Sequence, residues 1–323
     1  MMRKPEEEAM LEPSTLDRNN PHHPDNEPPK KSLAVNLVMK FAQSINRAAF
    51  VTPHLFGGSN LSKVEYEYDF GNTFLDIVKE YANLSIFDNK DVLDVGCGWG
   101  GKMIYYAEHT KLKTITGFDL PGYLPESSAE FALKKNARNC FFETGYAEKM
   151  AYEEEQFDLI IMEDVLEHVA EPEKVLSECY RVLKPKGIIF AKFPSFKSMH
   201  AHHLDRAISL PALHYILPMK TWAAGFNYLL LDKDKFNYTP FRKIVSTKYN
   251  DSVTSDLNGL DFESFSDLVK ESQFKTKLLK LVPGKVNQGK RKLIKPFYNT
   301  AYKTSIFREF LSSYILFIGE KTG

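Results

Sequence analysis

The sequence predicts an open, mostly parallel α/β sheet with helices on both faces, and three observations carry that expectation. From near residue 66 onward, amphipathic segments of helix length alternate with short apolar stretches, as in a parallel sheet built by crossover connections. The first stretch, DVLDV at 91–95, runs straight into glycines at 96, 98, 100 and 101, after which a helical segment begins. The chain has 323 residues and 43% hydrophobic content, enough for one large α/β domain with additions.

Taken in order, 66–85 reads as a helix and 91–95 as a buried strand. Helix 101–109, strand 114–119, helix 126–137 and strand 139–143 follow. Strand 157–163 (FDLIIME), helix 172–183 and strand 187–193 (GIIFAKF) complete the alternation. Residues 195–258 form an insertion rich in His, aromatic and Leu residues, read as a helical lid. Helix 261–273 and strand-like stretches at 275–282 and 312–320, separated by a loop, predict an antiparallel edge hairpin.

The expected domains are a disordered tail at 1–29, a basic amphipathic capping segment at 30–65, and one α/β domain at 66–323 containing the insertion at 195–258. The tail contains six prolines and no hydrophobic period. In the capping segment Leu33, Leu37, Phe41 and Ile45 share one helical face, with Lys31, Lys40 and Arg47 making the helix basic. That suits a membrane-surface helix or an ordinary helix packed on the core. The polar first 30 residues predict no secretory signal, and Pro211, Pro218, Lys220 and Asn227 interrupt the most apolar stretch. A cytoplasmic location, with peripheral membrane contact as an option, is the expectation.

Lys plus Arg equal Asp plus Glu at 42 each, so charge gives no ground for a nucleic-acid partner, and none is expected. Cys97, Cys140 and Cys179 lack CxxC spacing, so neither disulfides nor a zinc site is predicted. The oligomeric state is not legible.

The segment VLDVGCGWGG carries the binding chemistry. Glycines let a chain turn sharply and let a ligand approach the backbone. Asp94 is placed to hold a ligand's ammonium group, and Asp119, 25 residues on, to take ribose hydroxyls. Gly96, Gly98 and Gly101 also satisfy GxGxxG, so the spacing alone fits NAD and S-adenosylmethionine almost equally.

Read as D-x-G-x-G-x-G, the same segment resembles motif I of class I methyltransferases. GFDL at 117–120, GYAEKMAY at 145–152, FDLIIMEDVLEHV at 157–169 and LSECYRVLKPKGIIF at 176–190 match further motifs in order, and resemble the type 11 group. That group includes the methyltransferases of quinone biosynthesis. The resemblance is close over 66–195 and looser over 250–320. It implies a Rossmann-like, doubly wound, seven-stranded sheet and S-adenosylmethionine as cofactor. It further implies that Gly96, Gly98 and Gly100 line the methionine and ribose, that Asp119 binds the ribose and that Leu120 packs on adenine. Ala147 and Glu148 would meet the adenine edge, and Glu163 the methionine end. Tyr146 stands where many relatives carry Asp. Glu167 and His168 read as structural, and Cys97 and Trp99 as packing.

Methyl transfer from a sulfonium needs a general base only when the acceptor loses a proton on attack. The insertion after the fifth strand borders the crevice and carries His200, His202, His203, His214 and Asp205. His202 and His203 are the candidate bases. H-x-H-H without a partnered carboxylate pattern does not predict a metal. The apolar lid and the basic stretch at 280–303 suit a small or lipid-like acceptor. Methylation on oxygen is expected, with carbon or nitrogen as alternatives; a non-catalytic cofactor-binding protein and an NAD-dependent oxidoreductase are the rival readings.

Overall fold

The computed structural model describes residues 32–37, 39–40, 62–121, 127–199, 201, 215, 217–231, 244–254, 256–284 and 295–323. The sheet has seven strands in the order β3-β2-β1-β4-β5-β9-β8. They are β1 (Asp91–Val95), β2 (Thr114–Asp119), β3 (Cys140–Thr144), β4 (Phe157–Glu163), β5 (Leu183–Phe193), β8 (Phe274–Pro283) and β9 (Ser312–Lys321). Strands β1 to β5 pair in parallel, and β9 runs antiparallel to both β5 and β8. The order reverses between β1 and β4, which opens a crevice at their carboxyl ends. This is the doubly wound arrangement with an antiparallel edge that the alternation predicts.

Period-two alternation divides the core into two layers. Ile160 and Met162 of β4 join Leu93, Val95 and Phe193 on one face. Leu159 and Ile161 join Val92, Ile115 and Phe190 on the other. The helices are α1 (Lys63–Asp69), α2 (Gly71–Tyr81), α3 (Gly101–His109), α4 (Ser127–Lys134), α5 (Pro172–Val182), α6 (Met219–Leu231), α7 (Phe262–Glu271), α8 (Lys295–Lys303) and α9 (Ser305–Arg308). The first face is covered by α5 through Val175, Leu176 and Cys179, and by α7 through Phe265 and Val269. The second is covered by α2 through Phe74 and Val78, and by α3 through Met103 and Tyr106.

Two expectations are corrected. The helix read over 66–85 is two helices, broken at Phe70 (φ −97°, ψ 0°), with a 3₁₀ turn at Leu84–Phe87. The break lets Gly71 press against α3, where a Cβ would lie 2.4 Å from the Tyr105 ring. The connection between the last two strands is not a plain loop, because it contains α8 and α9. Within the capping segment 33–37 and 39–40 are helical, yet Leu33 and Leu37 are exposed and Val35 is buried at 4%. Two helical residues turn the chain by about 200°, so Val35 faces opposite to Leu33. The tail at 1–29 lies outside the described residues.

The insertion contributes α6, whose Trp222 and Phe226 are each 1% exposed, and a two-stranded sheet of β6 (Ile244–Val245) and β7 (Val253–Thr254). Among the described residues no helix is long and apolar enough to cross a membrane.

Candidate cofactor site at the glycine loop

Strand β1 delivers Asp94 to the crevice and then turns through three glycines in the left-handed region: Gly96 (φ 75°), Gly98 (φ 60°) and Gly100 (φ 78°). L side chains are strained there, so the loop requires glycine on backbone grounds alone. Crowding adds to this at Gly96, where a Cβ would meet Val165 Cγ2 at 2.3 Å. Gly101 has a different task. A Cβ there would lie 2.1 Å from the Val64 carbonyl oxygen and 2.6 Å from Tyr68 N, so this glycine admits the backbone of α1 rather than a ligand.

Asp119 ends β2 and is fixed by two backbone donors. Gly98 N–H donates to its Oδ2 at 2.7 Å, and Leu120 N–H to its Oδ1 at 2.7 Å. Asp94 is 6% exposed. Burial, then the nearby charges of Glu163, Glu67 and Asp119 against the opposing Lys102, hold its carboxyl well above the usual range. Glu163, at the end of β4, accepts from Lys102 Nζ at 2.6 Å and pairs with Lys192 Nζ at 3.1 Å. Burial is the largest single influence on Lys102 and lowers it, but the charge and hydrogen bond of Glu163 with the charge of Asp164 together hold it above the usual lysine value. The crevice is therefore rich in carboxylates, two of them balanced poorly, which suits a ligand bearing positive charge.

Sequence reasoning missed Glu67. This α1 residue accepts from Trp99 N–H at 3.2 Å and Gly101 N–H at 3.1 Å. Burial outweighs both bonds and pushes its carboxyl up to about 7. No motif marks it, and only the docking of α1 brings it to the loop.

The remaining expected site residues are distributed as follows. Leu120 is half-buried beside Asp119, while Ala147 is buried and Glu148 half-buried in the turn after β3. Tyr146 is 42% exposed there. Cys97 is buried, and Trp99 lies under Lys63 Nζ at 4.7 Å. Glu167 and His168 lie in the turn after β4, which is stitched to the insertion: Asn258 N–H donates to the Glu167 carbonyl at 2.8 Å, and His168 Nδ1 lies 2.5 Å from the Asp256 carbonyl. His202 and His203, with His200, His214 and Asp205, lie outside the described residues. No cluster with metal-ligand potential occurs among the described residues.

Residues 93–191 match a family model described as a methyltransferase domain. That span begins inside β1 and ends inside β5, so it takes in the whole glycine loop and the crevice. The stretch from β1 to β5 is thus similar to a methyltransferase domain. Among curated proteins similar to this chain, the ubiquinone biosynthesis O-methyltransferase of Pseudomonas putida strain GB-1 is 32% identical over 143 residues, 44% of this chain and 57% of that protein. The protein of the same name from Pseudomonas fluorescens strain ATCC BAA-477 is 37% identical over 102 residues, 31% of this chain and 43% of that protein. The chain thus spans about half the length of the relatives it matches. A putative S-adenosylmethionine-dependent methyltransferase from Listeria monocytogenes aligns in structure at a TM-score of 0.48 and 16% identity, covering 79% of this chain and 99% of that one.

Proposed function

We propose that the protein transfers the methyl group of S-adenosylmethionine to an oxygen atom of a small or lipid-like organic acceptor. The observation that carries this reading is the gathering of Glu67, Asp94, Asp119 and Glu163 around the glycine loop. Such a site favours a ligand with an adenosine ribose for Asp119 and a cationic amino-acid end for Asp94. NAD has no ammonium group and carries an anionic pyrophosphate that these carboxylates would repel, which favours the S-adenosylmethionine reading over the NAD one.

When bound, the cofactor supplies an already activated methyl group on a sulfonium. The protein's own task is then to position the acceptor and exclude water, and positioning of this kind contributes ~7–11 kcal/mol. The left-handed glycines bring backbone close to the ligand, Asp119 fixes the loop, and Ala147 and Glu148 stand at the adenine edge. The apolar α6 segment supports an apolar acceptor, and the relatives' names support oxygen as the methylated atom and a quinone precursor as the acceptor class. A hydroxyl acceptor must surrender its proton on attack, and His202 and His203 are the proposed receivers. A lipid-like acceptor would bring the protein to a membrane surface through its basic segments.

The test is a thermal shift with S-adenosylhomocysteine and, separately, NADH, followed by labelled-methyl transfer to ortho-diphenols. A ligand at 100 times its dissociation constant adds ~2.7 kcal/mol of stability. Stabilisation by S-adenosylhomocysteine alone, with label on an ether oxygen, is the expected result. Stabilisation by NADH alone would reject the proposal, and cofactor binding without any transferred label would favour a non-catalytic role.

A further inference from the structure

Glu67 approaches the glycine loop from outside it. The backbone of α1 rests directly on Gly101, and the Glu67 side chain extends along the loop so that its Oε1 lies 2.5 Å from the position of a Cβ on Gly98. Two loop amides, Trp99 N–H and Gly101 N–H, donate to its two oxygens. A carboxylate offers about four acceptor positions, so roughly two remain. The charged and titratable groups facing it are Lys102 on α3, Asp119 on β2, Asp94 on β1, the Tyr106 hydroxyl on α3 and the Cys97 thiol in the loop. Carboxylates outnumber cations in that set, and an ammonium group would complete it.

We propose that Glu67 is a further cofactor-binding residue, which together with Asp94 receives the α-ammonium group of the cofactor's methionine moiety. An ammonium carries three donors; Glu67 and Asp94 take two, from helix α1 and strand β1 respectively. The contact would make cofactor affinity depend on the docking of α1, so that the segment preceding the sheet completes the site. In the ligand-free protein burial holds the Glu67 carboxyl at about 7. A cation beside it favours the ionised form, so binding releases a proton near neutral pH.

The inference rests on the cofactor reading above, and two ligands separate them. S-adenosylhomocysteine has the ammonium; 5′-methylthioadenosine keeps the nucleoside and lacks the amino-acid end. Calorimetry on the full chain should show wild-type affinity for the first rising about five- to tenfold between pH 6 and pH 8, with proton release at pH 7. Affinity for the second should be flat with pH. Glu67→Gln should weaken S-adenosylhomocysteine about tenfold at pH 8 and leave methylthioadenosine within about twofold, that second ligand reporting an intact loop. Equal losses for both ligands, or none for either, would overturn the assignment. If the variant does not fold, equal proton release by both ligands in the wild type would overturn it. Binding of neither ligand by the wild type would remove the cofactor reading itself.

Discussion

Lys102 Nζ lies 2.6 Å from Glu163 Oε2, tying the helix after the glycine loop to the end of β4. The carboxylate is shared, because Lys192 Nζ stands 3.1 Å from its other oxygen and 3.0 Å from Asp164. The pair is mostly enclosed, with the Lys102 side chain 28% exposed and that of Glu163 11%. It sets the local charge near Asp94, since Lys102 is the cation opposing that carboxyl's upward shift.

Replacing Lys102 by Met should therefore destabilise the protein. Removing one member of a buried pair costs ~3–5 kcal/mol, and partial exposure brings the expected loss to about 1–3 kcal/mol. Adding Glu163→Gln should restore part of it, because Lys192 and Asp164 then remain as one balanced pair instead of one lysine facing two carboxylates. Urea unfolding of the two single variants and the double variant measures the coupling. Additive losses would mean that the pair is energetically idle.

Gly101→Ala tests the docking of α1. The added methyl meets backbone atoms of Val64 and Tyr68, which cannot swing aside as a side chain would. Overpacking of this kind costs ~1–3 kcal/mol, relieved by shifting α1 outward. Limited proteolysis should then cut within 62–70, and S-adenosylhomocysteine affinity should fall while the sheet survives. Wild-type affinity with a loosened α1 would detach the helix from the cofactor site.

Much of this fold was legible because buried strands announce themselves. β2 and β4 occupy 114–119 and 157–163, as their apolar runs predict. The strand, glycine turn and helix read over 91–109 form as expected, since left-handed positions leave few other residue choices. What depends on packing between distant segments was not legible. The break at Phe70 falls where Gly71 meets Tyr105 across the contact, so it depends on packing as well as on a single local glycine. Glu67 precedes Asp94 by 27 residues and carries no motif. The one usable hint was Gly101, a glycine beyond the three left-handed ones, which marks a close approach by another backbone. Likewise the sequence places Glu163 in the crevice, but not the two lysines that claim it.

Asp119→Asn should lower cofactor affinity beyond the loss of a ribose contact. Each Asp119 oxygen accepts one backbone N–H, from Gly98 and from Leu120. The amide keeps one acceptor oxygen and turns an NH₂ toward the other donor. An unsatisfied part-buried donor costs about 1–3 kcal/mol, so affinity for S-adenosylhomocysteine should drop roughly 5- to 150-fold. Calorimetry reads this directly, and an unchanged affinity would place the ribose elsewhere.

The three cysteines should resist alkylation in the native state. Burial raises all three thiols: Cys97 well above its ordinary value, with Asp94 and Asp119 adding to the shift, Cys140 to about 12, and Cys179 upward as well. Thiolates are the reactive form, so at pH 8 iodoacetamide should label none of them until the protein unfolds. Rapid native labelling at Cys97 would mean that the glycine loop opens readily.

Between pH 5 and pH 8 the stability of the ligand-free protein should fall as pH rises, and Glu67 should carry an identifiable part of that fall. Its carboxyl moves from an ordinary 4.5 to about 7 on folding, chiefly through burial. Between those values the folded state binds more protons than the unfolded state, so stability declines with rising pH and levels off above the folded value. The advantage is complete below pH 4.5 and lost through pH 7; a shift of this size corresponds to at most about 3 kcal/mol. Asp94 shifts in the same direction and adds to the slope. Urea unfolding at pH 5 and pH 8 should show a smaller difference in Glu67→Gln than in the wild type, by about 1–3 kcal/mol. Saturating S-adenosylhomocysteine should flatten the wild-type profile too, by supplying the charge that the ionised carboxylates lack. Equal slopes in the two proteins would mean that the Glu67 carboxyl is solvated and that α1 does not seal the loop.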